Sequence, residues 1–193
     1  MKSQREGRDL YQMSDEQLIL AIERGERDKF GLLVESYQRR IYRFLRNMGL
    51  DHDEAADITQ NTFILAYKNL GSIQRNKCFR SWLFTIAANQ ARNYFRKRSR
   101  QRQVPLDDLG PLAVDENQSL PVERGQLRER LEALLDRLPL KQRQVVVMRV
   151  FEQLPFDEVA LACGLGLSNA KVTYHRAMKK LAGWLGPSLS EIS

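Results

Sequence analysis

Apolar residues recur at spacings of three and four along most of the chain, which leaves amphipathic helices as the way to bury them. Phe30, Leu33, Val34, Tyr37, Ile41, Leu45 and Met48 form one such stripe, ended by Gly49. Before it, Ser14 and Gln17 make a capping box ahead of Leu18, Ile19 and Ile22, and Gly25 stops that helix. Asp28 can cap the long stripe, and Asp53 opens a third helix with Ala56, Phe63, Ala66, Tyr67 and Leu70 on one face. A fourth runs from about Phe79 to Arg98, with Leu83, Ile86, Ala87, Ala91 and Tyr94 as its core face. No alternation of period two appears, so the expected fold class is all-α.

The composition changes between residues 104 and 121. Pro105, Gly110, Pro111 and Pro121 stand there among Asp107, Asp108, Asp115 and Glu116, as in an acidic, flexible linker. Two small helical domains are therefore predicted, 14–103 and 122–186, joined by linker 104–121. The second begins with a helix from Val122 to Leu138, broken by Pro139, and continues with one from Gln142 to Leu154.

Charge separates the halves further. From Ile58 to Leu106, 49 residues hold no Asp or Glu, ten Lys and Arg, and seven of the chain's 16 aromatics. That stretch is +10 while the whole chain is +7, so the remainder sums to −3. Lys and Arg at this density gain by releasing counterions from a polyanion. Interleaved aromatics suit exposed bases, although core packing is the better account of most of them.

Other classes fit poorly. Cys78 and Cys163 lie far apart without a CxxC or Cys/His neighbourhood, so no metal or other cofactor is expected. Cys163 suits a core, and Cys78 an ordinary polar loop. The basic stretch has no carboxylates for two-metal chemistry, His52 and His175 lie in different halves, and no Walker loop occurs, so no catalytic set is predicted. No apolar run approaches the ~20 residues that span a bilayer, and Met1 to Tyr11 is polar, so membrane insertion is not expected and the cytoplasm is the expected compartment.

Phe156 to Cys163, then Gly164-Leu165-Gly166, then Ser168 to Leu181 has helix-turn-helix spacing. Val159, Ala160 and Cys163 face inward on the first helix, and Ala170, Tyr174, Met178 and Leu181 on the second. Asn169, Lys171, Val172, Thr173 and Arg176 are then available to a major groove. A helical hairpin that binds nothing would share this pattern.

Taken in order along the chain, these segments resemble the extracytoplasmic-function sigma factors, the small promoter-recognition subunits of bacterial RNA polymerase. The resemblance rests on Leu33 to Tyr42, Asp57-Ile58-Thr59-Gln60-Asn61-Thr62-Phe63, Phe79 to Phe84, Ile86-Ala87-Ala88-Asn89 with Asn93-Tyr94, Leu135 to Arg143, and Asp157 to Leu181. Asn61 departs from the family's usual acid. Gly166-Leu167-Ser168-Asn169, Val172 and Thr173 depart at the recognition helix, which moves the expected cap to Ser168 and puts the base preference in question.

The resemblance implies a region 2 helical bundle, a region 4 helix-turn-helix and no enzymatic activity. It implies as partners the β and β′ subunits of core polymerase, promoter DNA both duplex and single-stranded, and an anti-sigma factor. Asp57, Gln60 and Phe63 would meet the β′ clamp helices, Phe63 serving the core as well. Gln74, Arg75, Asn76 and Lys77 would capture a flipped −10 base. Asn89, Arg92, Phe95 and Arg96 would face the −10 element, with Trp82 more suited to anchoring its helix, and Arg98, Arg100 and Arg102 would track phosphates. Ser168, Asn169, Lys171, Val172, Thr173 and Arg176 would lie at the −35 element. A stand-alone helix-turn-helix regulator, binding duplex without polymerase, is the alternative reading, and a small nuclease or recombinase a third.

Overall fold

The computed structural model describes residues 13–73, 78–102 and 132–185, and the described residues are helical with no strand. The predicted linker, the loop 74–77 and most of the predicted helix Val122 to Leu138 lie outside them. Helix α1 (Asp15–Glu23) begins with the expected capping box: the Gln17 backbone N–H donates to Ser14 Oγ, and the Ser14 N–H donates back to Gln17 Oε1 at 2.8 Å. Gly25, at φ +106°, turns the chain out of it, a backbone conformation that costs glycine little.

Helix α2 (Phe30–Asn47) carries the long stripe inward. Asp28 does not cap it, because residues 27–29 form a 3-10 turn that leads directly into the helix. Helix α3 (His52–Lys68) is capped two residues earlier than expected. Asp51 accepts from the Glu54 N–H at 2.8 Å, while Asp53 sits in the first turn. Its inward face shifts accordingly to Ala55, Ile58, Thr62, Phe63 and Ala66; Ala56 and Tyr67 are exposed. Helix α4 (Phe79–Arg102) is about 36 Å long at ~1.5 Å per residue. Leu83, Ala87 and Ala91 are buried as predicted, together with Phe84, Ala88 and Phe95, while Ile86 and Tyr94 are only half-buried. Edge-to-face ring pairs tie α4 to α2: Phe44 with Phe84 at 5.3 Å and Tyr37 with Phe79 at 5.6 Å.

In the second half, residues 132–136 are helical and end before Pro139. Helix α5 (Leu140–Val146) is shorter than predicted because the chain widens into a π-helical turn over Val147–Phe151. The Glu152 N–H donates to Val147 O, and Gln153 at φ +54° then redirects the chain toward Pro155. Helix α6 (Phe156–Cys163) closes on Gly164 at φ +63°, and helix α7 (Leu167–Leu185) follows after two residues. Val145, Val147, Met148, Val159 and Cys163 form the core here, and burial pushes the Cys163 thiol up to about 12. One hydrophobic cluster runs through both halves, with α6 packed on α4 and the π-turn against α2.

Candidate functional site

Three surfaces carry the residues singled out in the sequence. The first is a groove of 760 Å³ between α2 and α3, lined by Val34, Arg39 and Tyr42 on one side and Gln60, Phe63 and Ile64 on the other. Ile64 and Tyr67 are 43% and 41% exposed, an apolar surface with no cover among the described residues. Gln60 points into solvent at its edge, Phe63 is buried at its floor, and Asp57 is exposed further toward the start of α3. The sequence reading assigned Tyr67 to the core. The available signal was that Gln60, Ile64 and Tyr67 continue one stripe at spacings of four and three, on the side of α3 away from Ala55 and Ile58.

The second surface is α4. Asn89 and Arg96 are exposed, Trp82 and Arg92 half-buried, and Phe95 buried at 4% exposure. Asn89 Oδ1 accepts from Arg92 Nη1 at 2.8 Å, and Arg92 Nη2 donates to Ala162 O of α6 at 3.2 Å. Both residues are thus already engaged, and bidentate reading of a base by Asn89 needs that oxygen freed. Arg98, expected on phosphates, is buried, with Nε and Nη1 lacking a hydrogen-bond partner. Gln74, Arg75, Asn76 and Lys77 lie outside the described residues.

The third surface is α7. Ala170 and Ala177 are fully buried against its neighbours, so the opposite side is presented outward. Ser168, Asn169, Lys171, Val172 and Arg176 are exposed and Thr173 half-buried. Met178 is exposed rather than core, because Ala177 fills the inward position. The helix begins at Leu167, which places Ser168 inside the first turn and not at the cap. Arg137 stacks over Trp184 at 4.3 Å and holds the far end of α7. The arrangement is a rigid helix with a polar, basic outer face, suited to a duplex groove.

These features define a helical protein with a helix-turn-helix and a basic first half. Residues 33–101 match the family model for Sigma-70 region 2, and residues 128–181 that for Sigma-70, region 4. The chain is 32% identical to the RNA polymerase sigma-H factor of Pseudomonas aeruginosa, over 94% of this chain and 99% of that protein. It is 30% identical to the ECF RNA polymerase sigma factor SigX of Bacillus subtilis, over 80% of this chain and 82% of that one. Its fold is similar to CnrH, solved in complex with the cytosolic domain of CnrY, with TM-score 0.67, 24% identity and coverage of 89% and 96%. It is likewise similar to the sigma factor RpoE of Bartonella quintana, solved with the anti-sigma factor NepR, with TM-score 0.65, 22% identity and coverage of 81% and 96%. The chain belongs to the extracytoplasmic-function RNA polymerase sigma factors.

Proposed function

We propose that this chain binds bacterial core RNA polymerase and directs it to promoters, reading a −10 element with its first half and a −35 element with its second, and that it supplies binding energy for strand separation while the core performs catalysis. The observation that carries this reading is the pair of surfaces built for different partners: an apolar groove beside Gln60 and Phe63, and the exposed Lys171 and Arg176 face of α7. A groove with exposed Ile64 and Tyr67 suits a helix laid into it, the geometry of the β′ clamp helices. Asp57 and Gln60 would form its polar rim. On α4, Asn89, Arg92 and Arg96 would meet the −10 strand, with Gln74, Arg75, Asn76 and Lys77 holding a flipped base; Trp82 and Phe95 would hold the helix in place.

The units would be 14–103 for polymerase and the −10 element and 122–186 for the −35 element, with 104–121 as tether. Eighteen extended residues reach up to ~60 Å at ~3.3 Å each. Two elements nearly two duplex turns apart lie ~60 Å from each other at ~34 Å per turn, so both can be bound by one chain. Action would be in the cytoplasm; no helix among the described residues is long and apolar enough to cross a membrane. An anti-sigma factor would occupy the same surfaces, as the complex of the Bartonella quintana protein with NepR suggests.

The test is the double variant Asp57→Ala/Gln60→Ala. Association with core polymerase should weaken, while affinity for duplex DNA stays unchanged because both residues lie outside α7. Undiminished association would remove this face from the polymerase interface.

A further inference from the structure

Helix α7 has an inward line and, half a turn away, an outward one. Ala170 and Ala177, seven positions apart and fully buried, fix the first. At ~100° per residue, positions two before or two after each of them fall opposite it. Ser168, Val172, His175 and Lys179 are those positions, and all four are exposed. They make a single stripe along the helix. The sequence reading left His175 and Lys179 out of the duplex face. It included Thr173, which is half-buried because it stands close to the inward line.

Ser168, His175 and Lys179 each carry a hydrogen-bonding group. Val172 does not, yet it is 45% exposed, with Lys171 and Arg176 exposed on its two flanks. A lone exposed valine elsewhere would carry no message. Here it occupies the centre of the face that α7 offers, near the start of the helix at Leu167. The N-terminal part of a recognition helix is the part that reaches base edges in a major groove. The inference rests on the proposed function for that entry and goes beyond it in naming what is read. The groove presents hydrogen-bond donors and acceptors at every base pair, and one apolar group, the thymine 5-methyl. An isopropyl group set over a guanine, adenine or cytosine edge strips water from a polar atom and returns no hydrogen bond. Over thymine it covers a methyl instead, and apolar surface leaves water. The branch at Cβ adds direction: valine in a helix holds essentially one rotamer, so its methyls stand in a fixed place.

We propose that Val172 is a specificity-determining residue that reads the 5-methyl group of one thymine in the duplex element, with Ser168 and His175 beside it on the same stripe. At that position the element is selected by apolar contact and not by hydrogen bonding. Such a contact releases no counterions, so its discrimination persists at salt concentrations that weaken overall affinity.

The test uses the full chain, alone and loaded on core polymerase, and begins with selection from a random duplex pool. Each fixed thymine of the enriched site is then replaced in turn by deoxyuridine, which removes the 5-methyl and nothing else. At one of them binding should weaken about fourfold, the worth of one methyl-sized group, and by the same factor at low and at high salt. Val172→Ala should bind the thymine duplex more weakly and make thymine and deoxyuridine equivalent at that position. Val172→Ile keeps the branch and should retain the difference. Ser168→Ala, a change on the same stripe, should leave the difference intact. Deoxyuridine tolerated at every thymine overturns the proposal, as does an enriched site without a fixed thymine. A methyl effect that persists undiminished in Val172→Ala assigns the reading to another residue and overturns it equally. A pool that yields no enriched site, with or without polymerase, fails one step earlier: it strikes the proposed function and this inference with it.

Discussion

The two helices proposed to face DNA, α4 and α7, are presented in opposite ways. Helix α7 buries small residues, Ala170 and Ala177, and keeps its longer polar side chains outside. Helix α4 buries Phe79, Leu83, Phe84 and Phe95 and is the central packing element of its half. One helix can be altered on its outer face at little structural cost; the other, on the proposed function, combines core packing and strand contact in adjacent residues. A duplex groove accepts an exposed helix as it stands, whereas bases stack only on accessible rings, so the buried Phe79, Phe84 and Phe95 of α4 serve the core.

That contrast can be broken most directly at Phe84. Truncation, Phe84→Ala, removes a ring packed edge-on against Phe44 and should destabilise the first half by ~3–5 kcal/mol in urea melts. A loss no greater than that of an exposed-residue change would mean that α4 is not a packing element. The next effect in size belongs to α7. Arg176→Ala should cost ~1–3 kcal/mol in duplex affinity if the guanidinium reads a guanine edge, with preference relaxed at one base position. A uniform loss with reduced salt dependence would assign it to phosphate, and unchanged binding at every salt concentration would take it out of the interface. Val172→Ala sharpens the comparison from the quiet side. Val172 is 45% exposed, so melting should move by no more than ~0.5 kcal/mol, and any change should appear in base preference measured by selection from a random duplex pool.

Much of the molecule was legible before any coordinates. The capping box at Ser14, the stripe from Phe30 to Met48, the stop at Gly164 and the helix-turn-helix are local features, each set by a side chain within a few residues. The errors are also local, and small rotations explain them. Moving the α3 cap from Asp53 to Asp51 goes with an inward face on Ala55 and Ile58, which frees Tyr67 for the groove. Exchanging Met178 for Ala177 follows from how closely α7 approaches its neighbours: a small residue fits where a long one does not. The π-turn at Val147–Phe151 carries no glycine or proline to announce it.

The order of the helices, the basic stretch opposed to an acid-bearing linker, and the family itself followed from the sequence, because periodicity, capping and charge are properties of neighbouring residues. What only the tertiary structure decided is which surfaces remain free. Arg40 and Glu152 are 112 positions apart, Arg143 and Met48 are 95 apart, and Arg92 and Ala162 are 70 apart. Nothing local selects such partners. They are chosen when two apolar faces close over one another and the polar groups caught between them must pair or pay the desolvation penalty. The same closure engages Arg92 of α4 with Ala162 O and leaves Asn89 and Arg96 exposed.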